Sequence, residues 1–342
     1  MTSRERVIAV IEGRRPDRIP IYGWVRSNLE QEISATFGSV AAFEDHYAFD
    51  FAHLFGGPRI YAPGEIESLR TAHGGTIEPA HLLDITLSDP NGEAGYCKLR
   101  EQVAHHKNRN RFVYVQTPGI FECLNKPFGI EHHLMYLALY KSELAQVYQR
   151  QAEWNRQFAM NCLDIGIDMI HVSDDWGAQT GLMFSPATWQ EMIYPYHKVT
   201  CDAVRRRNGY LSLHTDGNVA QVLDGIADLG YQVLHPYQVS AGMDYDLYFA
   251  KYQNRFALMG GLDVQCTIGF GDLDRLRTDI EWVLHLFADR GLLFCTSHFV
   301  QNHCSIEELT FAYDLIYDLV RNGQRPTSTS TTGAATLRQS NE

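Results

Sequence analysis

No apolar stretch of this chain approaches the roughly 18 to 20 residues needed to cross a bilayer. The opening MTSRERVIAVIEGRRPDRIP breaks its apolar residues with charges, so neither a signal peptide nor a membrane anchor is expected. Cysteine is sparse: Cys97, Cys123, Cys162, Cys201, Cys266, Cys295 and Cys304 are odd in number, scattered, and form no Cys-x-x-Cys pair. That pattern argues against a disulfide framework or a thiolate-rich structural zinc site, and the expected compartment is a reducing cytoplasm. Positive charge is also short, with 29 Lys+Arg against 41 Asp+Glu and a formal net charge of −12. Such a surface repels a phosphate backbone, and no basic run reverses it locally, so nucleic acid is not expected as a partner. Gly56-Gly57 and Gly260-Gly261 resemble phosphate-cradling turns only loosely, and the chain carries no dinucleotide fingerprint or phosphate loop.

What is present is a recurring unit of a short β-rich run, a turn and a helix-period segment. The candidate strands are Arg18 to Trp24, Phe49 to Phe55, Arg111 to Thr117, Asp168 to Asp174, Gly209 to Asp216, Tyr231 to Pro236, Arg255 to Gly261 and Gly291 to His298. Helical patterns separate most of them, notably Leu144 to Leu163, Pro186 to Arg207, Val219 to Asp228, Leu273 to Ala288 and Ile306 to Arg321. Eight strands alternating with helices predict an α/β fold, a single (β/α)8 TIM barrel over residues 1–325. Residues 61–110 break the pattern, read as hairpin-like, and are expected as an irregular insertion near the catalytic face. The Ser/Thr-rich tail 326–342 has almost no apolar residues to offset its ordering entropy and is expected to be disordered.

In such a barrel the reactive groups stand where strands end. The late strands supply Asp174 and Asp175, His214 and Asp216, His235 with Gln238, Asp263, and His298. Alternation along Tyr210 to Asp216 puts Leu211, Leu213 and Thr215 toward the helices and His214 with Asp216 inward. The same parity places His298 with Thr296 and Phe294, and buries Cys295 under helices. Imidazole and carboxylate from two strand ends suit a borderline divalent metal such as Zn2+, with one position left open. An H-x-D pair also serves metal-free acid/base or plain hydrogen-bonding roles, and both readings stand at this point. Asp174 and Asp175 are candidates for acid/base work or for orienting a ligand imidazole. His171 is read as a packing residue, and the pairs His105-His106 and His132-His133 as solvated faces.

The opening SRERVIAVIEGRRPDRIPI, the central SDDWGAQTGLMFSPATWQEMIYPYHK, then LHTDGNV, LHPYQ, GGLDVQ and TSHFVQ followed by IEEL resemble the uroporphyrinogen decarboxylase-like superfamily. The resemblance covers nearly the whole chain except its tail. It implies a (β/α)8 barrel with its site at the strand C-termini, often as a homodimer. True uroporphyrinogen decarboxylases carry an Arg-rich segment of the type R-Q-A-G-R after the first strand. Here that stretch is Gly23-Trp24-Val25-Arg26-Ser27-Asn28, with one arginine, so a polyanionic tetrapyrrole lacks its clamp. Thiol-methylating members carry H-x-C-G where this chain has His214-Thr215-Asp216-Gly217, and Gly-Cys where it has Ser297-His298.

The resemblance therefore implies the corrinoid-dependent branch, in which a methyl group passes from an ether or amine to cobalamin on a partner protein. A His/Asp/His set leaves a harder ion than a thiolate set does, better suited to polarising oxygen. The expected function is zinc-dependent transfer of methyl from a small O-methyl donor, such as a methoxy-aromatic compound, to a corrinoid protein. His214, Asp216 and His298 are expected to bind the metal, with Asp174, Asp175 and His235 catalytic. Trp24, Arg26, Glu122, Trp176, Gln179, Tyr237, Gln238 and Asp263 are expected to contact substrate. A decarboxylase or lyase acting on a small acid, and a catalytically silent ligand-binding barrel, are the alternatives.

Overall fold

The computed structural model describes residues 1–25, 29–288 and 290–322. The expected disordered tail, 326–342, lies outside the described residues, as does Arg26. Short runs rich in Val, Ile, Leu and Phe form one parallel sheet of seven strands. These are β1 (Phe51–Leu54), β2 (Phe112–Pro118), β3 (Met169–Ser173), β6 (Tyr210–His214), β7 (Val233–His235), β8 (Ala257–Leu262) and β9 (Leu292–Thr296). They lie in the order β1-β2-β3-β6-β7-β8-β9, and β4 (Gly177–Ala178) pairs with β5 (Gly181–Leu182) as a small separate hairpin. Both faces of these strands are covered, which is why they read as nearly continuous apolar runs.

The expected first strand is realised as a single bridge rather than a ladder, and it joins the two edges. Ile21 pairs with Phe294 in parallel, Tyr22 N–H donates to the Phe294 carbonyl (3.0 Å), and Asp50 N–H donates to the Ile21 carbonyl (2.9 Å). The sheet is thereby curled. Charge pins this segment from below: the buried Asp50 accepts from Arg6 Nη1 and Arg18 Nη1, both at 2.6 Å, and from Ile21 N–H. Asp168, just before β3, accepts from Arg4 (2.9 Å) and Lys107 (2.5 Å). Arg4, Arg6 and Arg18 thus serve the N-terminal ends of the strands.

Residues 61–110 hold no hairpin. They contain helices Glu65–Ala72, Pro79–Leu83 and Cys97–Lys107, with a 3-10 turn at Glu93–Tyr96. Gly64, at φ 79°, and Pro79 at a helix start set these boundaries, features that look like turn signals when read alone. Cys97–Lys107 is the crossover between β1 and β2, and residues 58–67 of the preceding segment share a cavity with the strand ends at Pro118 and Ser173. Downstream, the expected helix Pro186 to Arg207 divides into Pro186–Met192 and Tyr194–Arg206, since Pro195 begins the second.

Register corrects one parity argument. Neighbours in a parallel sheet share a face, and Phe294 sits opposite both Ile21 and Gly260, while Cys295 sits opposite Gly261. Trp24 and Tyr22 point inward, against His235 and Tyr114 respectively, so Ile21 and Phe294 point toward the helices. Cys295 is therefore on the interior face, not under the helix layer. His298 reaches the interior for another reason: β9 ends at Thr296, and the bend that follows turns the ring back.

Candidate active site

The C-terminal strand ends gather an unusual concentration of imidazole. Trp24 forms the floor: its indole N–H donates to Tyr114 Oη (2.9 Å), and its ring stacks on His235 at 4.9 Å and lies 5.8 Å from His298. Above it, one ligand atom from each of His214, Asp216 and His298 falls within 4.8 Å of the others. The expected trio is thus assembled by the fold.

A hydrogen-bond chain fixes the state of His214. His235 is fully buried, and burial with the neighbouring His214 and His171 holds its imidazole well below the ordinary range, so it is neutral. Its Nε2 faces the Thr296 carbonyl (3.3 Å), which only accepts, and must carry the proton. His235 Nδ1 then accepts from His214 Nδ1 at 2.7 Å. His214 is also held neutral by burial, which leaves its Nε2 lone pair 3.8 Å from both Asp175 Oδ1 and Asp216 Oδ1.

That arrangement aims acceptors at one another. Asp216 Oδ1 is buried with no hydrogen-bond partner among the described residues. Burial and the adjacent Asp175 push the Asp216 carboxyl up to about 7. A lone pair and two carboxylates around a small volume are completed by a cation, so the donor set fits a divalent ion. His171, His214 and His235 also converge within 4.8 Å. They fit less well, because His214 Nδ1 and His235 Nδ1 are already spent on each other.

Adjacent residues prove very different. Asp174 is fully buried and saturated: it accepts from the backbone N–H groups of Ile120, Phe121 and Glu122 (3.1, 3.2 and 2.6 Å) and from His197 Nε2 (2.7 Å). Burial alone would raise its carboxyl, but these donors outweigh it and hold the group below the usual carboxylate range. It anchors a loop rather than facing a substrate. Asp175 is partly exposed, accepts from Asp216 N–H (2.8 Å) and faces His214. His235 is covered on all sides, so its place is behind His214, not against a substrate.

The expected substrate contacts divide in the same way. Glu122 receives a hydrogen bond from Ser173 Oγ (2.9 Å), and burial together with Asp175 and Asp174 pushes its carboxyl up to about 7. Gln238 Oε1 accepts from Gly217 N–H (2.7 Å), holding the loop that carries Asp216. Asp263 accepts from Ser240 (2.6 Å) and Ser297 (3.2 Å), beside His298. Trp176 does not line the mouth: it is wholly buried, edge-on to Trp189 and His197. Tyr237 is likewise turned away, its hydroxyl on the Asp244 carbonyl (2.8 Å) and its ring stacked on Tyr245. Gln179 is exposed on the β4–β5 turn. His133 and His106 are buried rather than solvated, His133 between Asn125 and Tyr148 at 2.7 Å each.

Sequence reading missed several participants. His197 was hidden in a helix, and its role appears only through Asp174. His53, stacked on Tyr114 at 4.5 Å, sits mid-strand with both ring nitrogens buried and unpartnered among the described residues. Beside Glu122 and Ser173 opens a cavity of about 590 Å3, lined in part by residues 55–67 and 116–127. Spacing along the chain gives no sign of it.

No curated protein sequence matches the chain. Among solved structures, a methyltransferase from Methanosarcina mazei is similar at 13% identity and TM-score 0.68, covering 93% of this chain and 99% of that one. A B12-independent methionine synthase from a Shewanella species is similar at 12% identity and TM-score 0.46, over 70% of this chain and 69% of that one. The first likeness supports the fold. Residues 126–319, more than half of the chain, match the model of one family, and the protein belongs to it: the uroporphyrinogen decarboxylase (URO-D) family.

Proposed function

We propose that this protein is a zinc-dependent methyltransferase that moves a methyl group from a small O-methyl donor to a corrinoid carried by a partner protein. The scaffold is read as a (β/α)8 barrel in which the segment around Ile21 supplies the eighth stave. The observation that carries the reading is the orphaned Asp216 Oδ1 opposite a His214 lone pair, with His298 beside them. His214 Nε2, Asp216 and His298 would hold the ion. When bound, it supplies Lewis acidity toward an ether oxygen.

The chain's own residues account for the rest. His235, braced on Thr296, holds the proton on His214 Nδ1 and keeps Nε2 free. In ether cleavage the oxygen–methyl bond breaks, the methyl goes to the carrier and the oxygen needs a proton. Glu122 can hold one near pH 7, steadied by Ser173, whereas the saturated Asp174 cannot and Asp216 would be committed to the ion. Trp24 and Phe299, 5.0 Å apart, give one flank of the cluster an apolar wall.

The test is purified protein with a reduced corrinoid carrier and a panel of methoxylated compounds. Methylcobalamin should appear in step with the free hydroxyl, and simple thiols should be poor acceptors. Carbon dioxide release from a carboxylated substrate, with no methyl transfer across the panel, would replace this reading with a decarboxylase.

A further inference from the structure

We infer that the cavity beside Glu122 is a recognition site for an apolar monoanion, an aromatic or similarly flat body bearing one carboxylate, whose uncharged end is delivered toward the His/Asp cluster. The inference rests on the functional reading above only for the identity of the reacting end. Its volume, about 590 Å3, is that of a small-molecule site.

The walls are aromatic where they are deep. Trp154 and Phe158 are buried, stack at 5.4 Å with planes 11° apart, and line the cavity. Gly57 (φ 94°) lies so close that a Cβ there would stand 2.3 Å from Phe158, so the loop bends against this wall only as glycine. On the side of the cluster, Phe55 is 43% exposed, uncommon for a phenylalanine, while packing tilted against His53 (4.2 Å) and stacking on Phe299 (5.9 Å), the neighbour of His298. It is a surface that a ligand would cover.

The two ends of the cavity differ in charge. At the inner end stand Glu122 and Ser173, and Ser173 is the register partner of His214. A carboxylate cannot lie there, because Asp174, Asp175 and Asp216 already crowd Glu122. At the outer end Arg59 and Lys126 are exposed, and neither forms an ion pair among the described residues. The other lining acid, Glu67, is matched by Arg70 at 2.7 Å. A ligand with one anionic end therefore has a single favourable orientation, anion outward and neutral end inward.

The experiment is calorimetric titration of the full-length protein with 4-methoxybenzoate, 4-methylbenzoate and neutral 4-methoxybenzyl alcohol. Both carboxylates should bind about three- to tenfold more tightly than the alcohol at low salt, the range expected of two partly exposed charge pairs. The preference should shrink with added salt and vanish in the Arg59→Ala/Lys126→Ala double variant, whose substitutions are exposed and leave the fold intact by circular dichroism. Equal binding of all three, no binding of any, or a preference surviving in the double variant overturns the inference. Since 4-methylbenzoate has no ether, its binding tests the cavity alone. Absence of methyl transfer from bound 4-methoxybenzoate counts against the functional reading instead.

Discussion

Both ends of the curled sheet gather carboxylates, and they treat them oppositely. At the N-terminal ends, Asp50 lies between Arg6 and Arg18, Asp168 between Arg4 and Lys107, and Glu44 and Asp45 meet Arg111 at 2.9 and 2.7 Å. At the C-terminal ends, Asp175, Asp216, Asp263 and Glu122 have no lysine or arginine partner among the described residues. Asp174 is fully satisfied there by backbone and His197, and Asp263 by hydroxyl and backbone donors, whereas Asp216 Oδ1 is left without a partner among the described residues. Matched charge at one end fixes the chain, and unmatched charge at the other leaves room for a cation or a proton. The same residue type thus marks stability below and chemistry above.

The largest difference should come from removing one acid at each end. Asp50→Asn removes the fully buried carboxylate that joins Arg6 to the half-buried Arg18 and should cost about 3–5 kcal/mol, read by urea unfolding. Asp216→Asn removes a carboxyl that burial disfavours as a carboxylate, and should leave the metal-free protein at least as stable as the wild type at neutral pH. It should nevertheless abolish zinc binding, expected at about one ion per chain in the wild type. Similar stability losses in the two variants, or full zinc in Asp216→Asn, would erase the distinction between the ends.

Behind the cluster, His235→Phe keeps the bulk of the ring but removes the acceptor that fixes His214. Zinc affinity should fall about 10- to 100-fold while His214, Asp216 and His298 all remain. An unchanged affinity in a competition titration would show that the hydrogen-bond chain does not set the donor.

Proton linkage offers a smaller effect with a definite sign. Asp216, pushed up to about 7, must lose its proton before it can ligate, so zinc affinity should fall as pH drops below about 7. Without metal the folded state keeps protons on Asp216 and Glu122 that the unfolded chain surrenders near its ordinary carboxyl range. Metal-free stability should therefore be greatest at low pH as far as these groups are concerned, and decline as pH rises from about 4 to about 7. A flat zinc affinity across this window would contradict the placement of the proton.

Much of this end was legible because strand-end chemistry is local. The runs ending in His214-Thr215-Asp216 and at His298 announce themselves by alternation, and seven of the eight expected strands appear with ends shifted by a few residues. What was not legible depends on partners distant in sequence. Asp174 and Asp175 look equivalent on the chain, yet the 120–122 backbone and His197 make one inert. Trp176 and Tyr237 follow strands just as Trp24 does, but helices cover them. Glu122 acquires its character from burial and from three acids in loops that follow other strands, and the start of the 61–110 segment helps line a cavity no periodicity describes.

The smallest expected effect tests the register itself. Cys295 lies on the interior face by its pairing with Gly261, yet it belongs to a layer below the strand ends and to neither converging ligand group. It is fully buried, and burial pushes its thiol well above the ordinary range. Thiol reagents should therefore modify it only slowly in the native protein, while the exposed Cys97 reacts first. Cys295→Ser exchanges a weakly polar group for a hydroxyl that must find a partner, so it should cost about 1–3 kcal/mol and leave zinc content unchanged. Methyl transfer should persist as well, because His298 is carried past Thr296 by the bend and does not depend on the side chain at 295. Loss of zinc from this variant at unchanged stability would put the sulfur in the ion's coordination sphere, and the boundary between the chemical end of the sheet and its packed interior would then lie one layer deeper than the register places it.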